Sequence, residues 1–152
     1  APFYSPDARA GFFGISPHTT RAELQRAVFE GLAFAIVDAL QGYPQGGELY
    51  LTGGGAASAT WLQIIADCTG RTVVSSAFNE LSARGAAILA ARSVAALAET
   101  PPLAQTRYQP RPQAHARYAA LYPVYRLLRE QMLPVWQARQ AALQPLSQDV
   151  QP

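Results

Sequence analysis

Three consecutive glycines, Gly53, Gly54 and Gly55, end the alternating segment Leu49-Tyr50-Leu51-Thr52 and lead straight into a helix-like run over residues 59–69. Glycine has no Cβ, so no side chain would keep a ligand off the backbone there. Bare N–H groups at the start of a helix suit the phosphates or ribose of a nucleotide. A tight strand-to-helix turn with no ligand accounts for the same residues equally well. A glycine cluster alone decides between neither.

The other chemistry-bearing residues exclude more than they suggest. His18 and His115 are the only histidines, and no Cys, His or carboxylate group has metal-ligand spacing, so no protein-built metal site is expected. Neither histidine belongs to a Ser/His/Asp or Cys/His arrangement; His18 is read as a helix-cap or surface residue. Cys68 is the single cysteine, which rules out an intrachain disulfide, and its apolar helix face favours a buried, inert thiol. All twelve basic residues are Arg, so no Lys can serve as Schiff base or phosphate ligand. Glu30 lies within an apolar helix and needs a partner, for which Arg26 is one turn away. Asp67 is read as a structural bond-maker, Glu80 as a helix cap, and Asp7 with Arg9 as a local ion pair. Tyr118, Tyr122 and Tyr125 are read as packing residues, because nothing basic interleaves with them to bind nucleic acid.

These residues must be positioned by regular elements. Residues 12–15, Phe-Phe-Gly-Ile, form a candidate strand. Thr20 with Glu23 makes a capping box, and Leu24, Ala27, Val28, Leu32, Ala35, Ile36, Ala39 and Leu40 recur at helical spacing until Gly42-Tyr43-Pro44. Residues 48–52 form a second strand. Ser58 or a neighbour caps the next helix, whose apolar face is Trp61, Leu62, Ile64, Ile65 and Cys68, with Gly70 as its left-handed stop. Residues 72–75 form a third strand and residues 82–97 a third helix. Residues 99–113 hold four prolines and read as a loop. From Ala114 a tyrosine-rich helix follows. Pro123 should kink it or begin a new one, as should Pro134. The tail 144–152 should fray. Strand–helix alternation argues for an α/β layer structure with partly parallel strands, with residues 1–143 as a single domain.

A length of 152 residues allows a real core, and 49% hydrophobic with 14% charged residues is globular composition. A net charge of +2 gives no extended surface for nucleic acid or membrane. No apolar run reaches the roughly 20 residues that span a bilayer, and no charged leader precedes one, so a cytoplasmic location is expected. No G-x-G-x-x-G opens the first helix, which disfavours a dinucleotide fold.

The flanks of the glycines carry a resemblance. Thr52-Gly53-Gly54-Gly55-Ala56-Ala57-Ser58-Ala59-Thr60-Trp61-Leu62-Gln63-Ile64-Ile65-Ala66-Asp67 resembles the pattern "(D/T)-G-G-(G/A)-x-x-(N/S)-x-x-(W/L)-x-Q-x-x-A-D" of the FGGY carbohydrate kinases, which include xylulose, ribulose, gluconate and glycerol kinases. Upstream, Pro2-Phe3-Tyr4-Ser5-Pro6-Asp7-Ala8-Arg9 is similar to "xPyWdPdARG", and His18-Thr19-Thr20-Arg21 through Arg26-Ala27-Val28-Phe29-Glu30-Gly31 is similar to "HtraxlxRAvlEG". Downstream, Glu80 and Ala83-Arg84-Gly85-Ala86-Ala87 are similar to "ExxAlGAA". The four motifs stand in order over about two thirds of the chain.

The resemblance implies the C-terminal lobe of the actin-like, ribonuclease H-like ATPase fold, a small mixed sheet packed with helices. It implies that Gly53, Gly54 and Gly55 lie against the ribose or phosphates of ATP. Ala56 and Ala57 would form an adenine wall. Ser58 stands where many members carry Asn beside the adenine. Thr52 joins this set where some members carry Asp; its structural alternative is a strand-end hydroxyl bonded to backbone. No catalytic residue is expected in this chain, because the family's catalytic Asp, sugar pocket and first phosphate hairpin belong to an N-terminal lobe. Mg2+ would be held mainly through the nucleotide and that lobe. The partners implied are ATP or ADP, the sugar of the intact enzyme and the N-terminal kinase lobe, with a homodimer left open. The "YLSGER"-like segment before "PFY" is missing, so a C-terminal fragment inactive by itself is expected. A xylulose-type (pentulose) kinase is favoured. Ribulose or glycerol kinase and a stand-alone, non-catalytic nucleotide-binding or interaction module are the alternatives.

Overall fold

A computed structural model describes residues 5–44, 46–76, 80–94 and 103–143. The expectations for residues 1–4, the end of the third helix beyond Val94, Pro101, Pro102 and the tail 144–152 lie outside the described residues. The elements run α1 (Arg21–Ala39), β1 (Leu49–Leu51), a 3-10 turn (Gly54–Ala57), α2 (Ala59–Thr69), β2 (Val73–Ser76), α3 (Leu81–Val94), β3 (Gln105–Tyr108) and α4 (Pro112–Leu143). They form two compact units: residues 43–115, and α1 with the segment before it plus α4 from residue 116.

In the unit 43–115 the sheet order is β1-β2-β3. β1 and β2 are parallel, with Leu49 beside Val73 and Leu51 beside Ser75. β3 runs antiparallel to β2, from Val73 beside Tyr108 to Ser76 beside Gln105. The sheet is mixed, as expected. Helix α2 packs on it, and Leu62, Ile64, Ile65, Ala66, Cys68, Val73 and Val74 make the core. Burying these side chains stabilises the unit by about 1.5–3 kcal/mol for each large aliphatic one. The start of α2 is set locally: Ser58 Oγ accepts the Trp61 N–H at 3.3 Å. Its end is set by Gly70, left-handed at φ 67°, whose N–H bonds the Ala66 carbonyl.

β3 corrects the reading of 99–113 as a loop. Gln105, Thr106 and Arg107 are exposed and carry no apolar signal, so only the pairing with β2, about 30 residues earlier, makes them a strand. Residues 12–15 correct the opposite way. They form no strand, and Phe13 is 76% exposed. A strand exists through its ladder, and no described strand lies beside this segment to supply one.

In the other unit, Thr20 and Glu23 form the expected capping box on α1: Thr20 N–H donates to Glu23 Oε2 at 2.7 Å and Glu23 N–H to Thr20 Oγ1 at 3.3 Å. α1 and α4 pack side by side and run parallel, since partners advance together along both. Tyr118 meets Arg26 and Glu30, Phe34 meets the rings of Tyr118, Tyr122 and Tyr125, and Asp38 meets Tyr122 and Arg129. The tyrosines are therefore packing residues. α4 continues unbroken through Pro123 and Pro134, so neither begins a new helix. The carbonyls they free, on Ala119 and Glu130, belong to exposed residues and reach water. No helix among the described residues is long and apolar enough to cross a membrane.

Candidate functional site

The chain leaves β1 at Leu51 and reaches Gly53, whose φ of 85° and ψ of −173° lie in a region open essentially to glycine alone. That residue reverses the chain. Gly54–Ala57 then close a single 3-10 turn over the carboxyl end of the sheet. Ala56 N–H donates to the Gly53 carbonyl at 2.9 Å, and Ser58 N–H to the Gly55 carbonyl at 3.4 Å. From β2, the Ser75 hydroxyl donates to the Ala56 carbonyl at 3.3 Å.

Two features make this turn receptive. The N–H groups of Gly54 and Gly55 have no acceptor among the described residues. A Cβ added at Gly54 would meet nothing within 4 Å, and one at Gly55 would meet only the Trp61 indole, at 3.5 Å. Adjacent unbonded backbone donors on a turn that carries no side chains can receive an anionic oxygen. All six candidates, Thr52, Gly53, Gly54, Gly55, Ala56 and Ser58, fall in this one segment. Thr52 is exposed, and its hydroxyl makes no backbone bond among the described residues, unlike its structural alternative.

Behind the turn, α2 is tied down by a buried carboxylate. Asp67, 0% exposed, accepts the Arg111 N–H at 2.8 Å, the Arg111 guanidinium at 2.5 and 3.1 Å, and Gln63 Nε2 at 3.0 Å. Burial pushes this carboxyl up, but the Arg111 and Gln63 hydrogen bonds outweigh it and hold the group below the usual range. Gln63 Nε2 also donates to the Gln109 carbonyl at 2.8 Å, and His115 Nδ1 to the Asp67 carbonyl at 2.9 Å. The expected structural role of Asp67 is thus met. Its partners Arg111 and His115, and the Gln109 partner of Gln63, were not foreseen, for each lies more than forty residues away in sequence. The one available signal was Gly70: it leaves the space that the His115 ring fills, and a Cβ there would sit 2.6 Å from His115 Cε1.

The remaining candidates lie elsewhere. Cys68 is buried. His18 is exposed, with its N–H on Ser16 Oγ. Glu30 pairs with Arg26 at 2.7 Å as expected and also accepts the Tyr118 hydroxyl at 2.7 Å. Burial, and then the Glu30 bond, push the Tyr118 hydroxyl up to about 12. The Asp7–Arg9 pair is corrected. Arg9 donates instead to the carbonyls of Pro6 and Ala8, which its guanidinium reaches within the same tight turn. No cluster of three or more His, Cys, Asp or Glu that could hold a metal ion occurs among the described residues.

The model of the FGGY family of carbohydrate kinases, C-terminal domain, matches residues 1–94. The chain belongs to that family. It is 32% identical over 145 residues to the xylulose kinase of Escherichia coli, covering 88% of this chain and 30% of that protein. It is 37% identical over 122 residues to the glycerol kinase of Koribacter versatilis, covering 73% of this chain and 24% of that protein. Among solved structures, ligand-bound xylulose kinase from Lactobacillus acidophilus superposes with a TM-score of 0.79 at 23% identity, over 91% of this chain and 30% of that one. This FGGY domain therefore has the expected fold, the C-terminal lobe of the actin-like ATPases, and spans about a quarter to a third of such relatives. The glycine turn of the FGGY domain lies inside the matched residues.

Proposed function

We propose that this FGGY domain supplies the adenosine side of the nucleotide site in an ATP-dependent sugar kinase of the xylulose type. The observation that carries the reading is the turn after β1, where the Gly54 and Gly55 amides make no hydrogen bond among the described residues and a Cβ at Gly54 would meet nothing within 4 Å. Open α/β sheets place ligands at the carboxyl ends of their strands. Within this proposal Gly53, Gly54 and Gly55 meet the ribose or phosphates, Ala56 lies along the adenine, Ser58 reaches it directly or through a water, and Thr52 borders the phosphates. Mg2+ is held mainly through the nucleotide and the N-terminal lobe. Residues 1–143 serve as one lobe. An N-terminal lobe supplies the sugar pocket and the carboxylate that takes the proton of the attacking hydroxyl, so the present chain by itself binds nucleotide without turning it over. The preference for a ketopentose rests on the xylulose kinases among the relatives.

The test is a calorimetric titration with Mg-ADP of the wild-type chain and of Gly54→Arg. Gly54 has no positive φ and a Cβ there would meet nothing within 4 Å, so the turn accepts a side chain at this position, and arginine adds bulk and charge where the nucleotide is proposed to lie. Weak saturable binding that the variant loses is the expected result. Binding that survives the substitution, or none by a folded wild-type chain, refutes the assignment.

A further inference from the structure

We propose that Ser75 is the positioning residue of the glycine turn, setting the aim of the Gly54 and Gly55 amides through its bond to the Ala56 carbonyl. Its consequence for ligand binding rests on the nucleotide reading above.

The Ser75 hydroxyl lies on a buried residue. Ser75 follows the buried pair Val73-Val74 on the central strand and is 6% exposed. A buried hydroxyl is tolerated when it is hydrogen-bonded, and this one has a single acceptor, the Ala56 carbonyl at 3.3 Å.

Little else ties the turn to the sheet among the described residues. Its other hydrogen bonds are internal or lie along the chain: Ala56 N–H to Gly53, Ser58 N–H to Gly55 and Leu62 N–H to Ser58. Among the described residues no other side chain bonds residues 53–57 to the sheet. Gly53 gives the chain a soft pivot at one end, and the Ser58 cap fixes the other. With both ends fixed, the turn can still roll about the line joining them. The Ser75 bond, attached at its middle, removes that freedom. Because the Gly54 and Gly55 amides ride on the same turn, the roll angle is their aim.

The experiment compares Ser75→Ala and Ser75→Thr with the wild-type chain in three measurements: Tm, the amide shifts and order parameters of Gly54 and Gly55, and the Mg-ADP dissociation constant. In Ser75→Ala the Gly54 and Gly55 signals should shift and their order parameters fall, with Tm little changed and ADP binding about fivefold weaker, the worth of one net hydrogen bond. Ser75→Thr, which keeps the hydroxyl, should behave as wild type. Should Ser75→Ala not fold, Ser75→Cys, of the same shape and a weak donor, should show the same displacement. Unchanged Gly54 and Gly55 signals in the folded variant overturn the proposal. A wild-type chain that never saturates with ADP removes the nucleotide reading alone, since the amide signals decide the role of Ser75 without ligand.

Discussion

The three glycines stand together in the sequence but have different physical reasons to be glycine, and single alanine substitutions separate them. Gly53 has φ 85° and ψ −173°, where an L side chain is strained whatever space surrounds it. Holding alanine there costs of order 1–3 kcal/mol, taken as ~2 kcal/mol. Gly54 and Gly55 have no positive φ, and their added Cβ atoms would meet nothing within 4 Å and the Trp61 indole at 3.5 Å respectively. The folded state therefore gains no strain at either site. Alanine restricts the unfolded chain, so both variants should match the wild type or exceed it by up to ~1 kcal/mol. The expected contrast is a fall of about 6 °C in Tm for Gly53→Ala and little change for the other two. Denaturant unfolding monitored by circular dichroism reads all three, with the slope checked for constancy. Ligand binding inverts the order: Gly54→Arg spares stability and removes Mg-ADP affinity. Equal stability of Gly53→Ala and Gly54→Ala would refute the division between a conformational glycine and two glycines kept for access.

Two further predictions concern the supports behind the turn. Asp67 has its carboxyl lowered below the ordinary 3.8, so its contribution is present above that value and is lost as pH falls through the folded pKa. Asp67→Asn should cost about 3 kcal/mol at neutral pH. The deficit against wild type in urea midpoints should shrink as the pH falls below about 4, whereas a deficit independent of pH would mean that the carboxylate charge is not what holds Arg111. Gly70→Ala should destabilise by about 2 kcal/mol or more. Its φ is 67° and its Cβ would press on His115 Cε1 at 2.6 Å, so the His115 ring signals should move in an NMR spectrum; an unmoved ring would contradict the contact.

What was legible in the sequence is what neighbouring residues settle among themselves. The Thr20–Glu23 box, the Ser58 cap and the left-handed Gly70 are each completed within three or four residues, and each appears where the residue types place it. The six candidate residues stand within residues 52–58, so their gathering on one turn follows directly from the sequence. Pairing across distance was not legible. Gln105–Tyr108 has no alternation of its own and becomes a strand by borrowing the ladder of β2, while residues 12–15 have strand-like residues and no strand partner among the described residues. No neighbouring residue marks Arg111, and its side chain is 60% exposed, yet it closes the most buried carboxylate among the described residues. Backbone rules read Pro123 and Pro134 as a kink or the start of a new helix, and α4 runs on through both. The ring contacts of Phe34 with Tyr118, Tyr122 and Tyr125 reward the helix for continuing past the first of them.

The placement of the turn follows from where this small unit keeps its rigidity. Its strands are three and four residues long, and α3 has no buried residue among those described. Nearly all of its burial is concentrated in residues 62–75, on α2 and β2. A site that must hold two amides to within about 0.5 Å cannot be supported by the exposed elements. The turn is fastened to the two that can hold it: α2 begins at its Ser58 end, and β2 reaches its middle through Ser75. At eleven residues α2 is a rod of about 16 Å, and a rod pinned only near the turn would swing. The Asp67–Arg111 contact pins its far half, and the His115–Gly70 contact its end. On this argument the buried carboxylate and the glycine turn form one device. A substitution at Asp67 should therefore loosen the Gly54 and Gly55 amides as well as lower stability, whereas a loss of core volume of equal cost elsewhere should leave them in place.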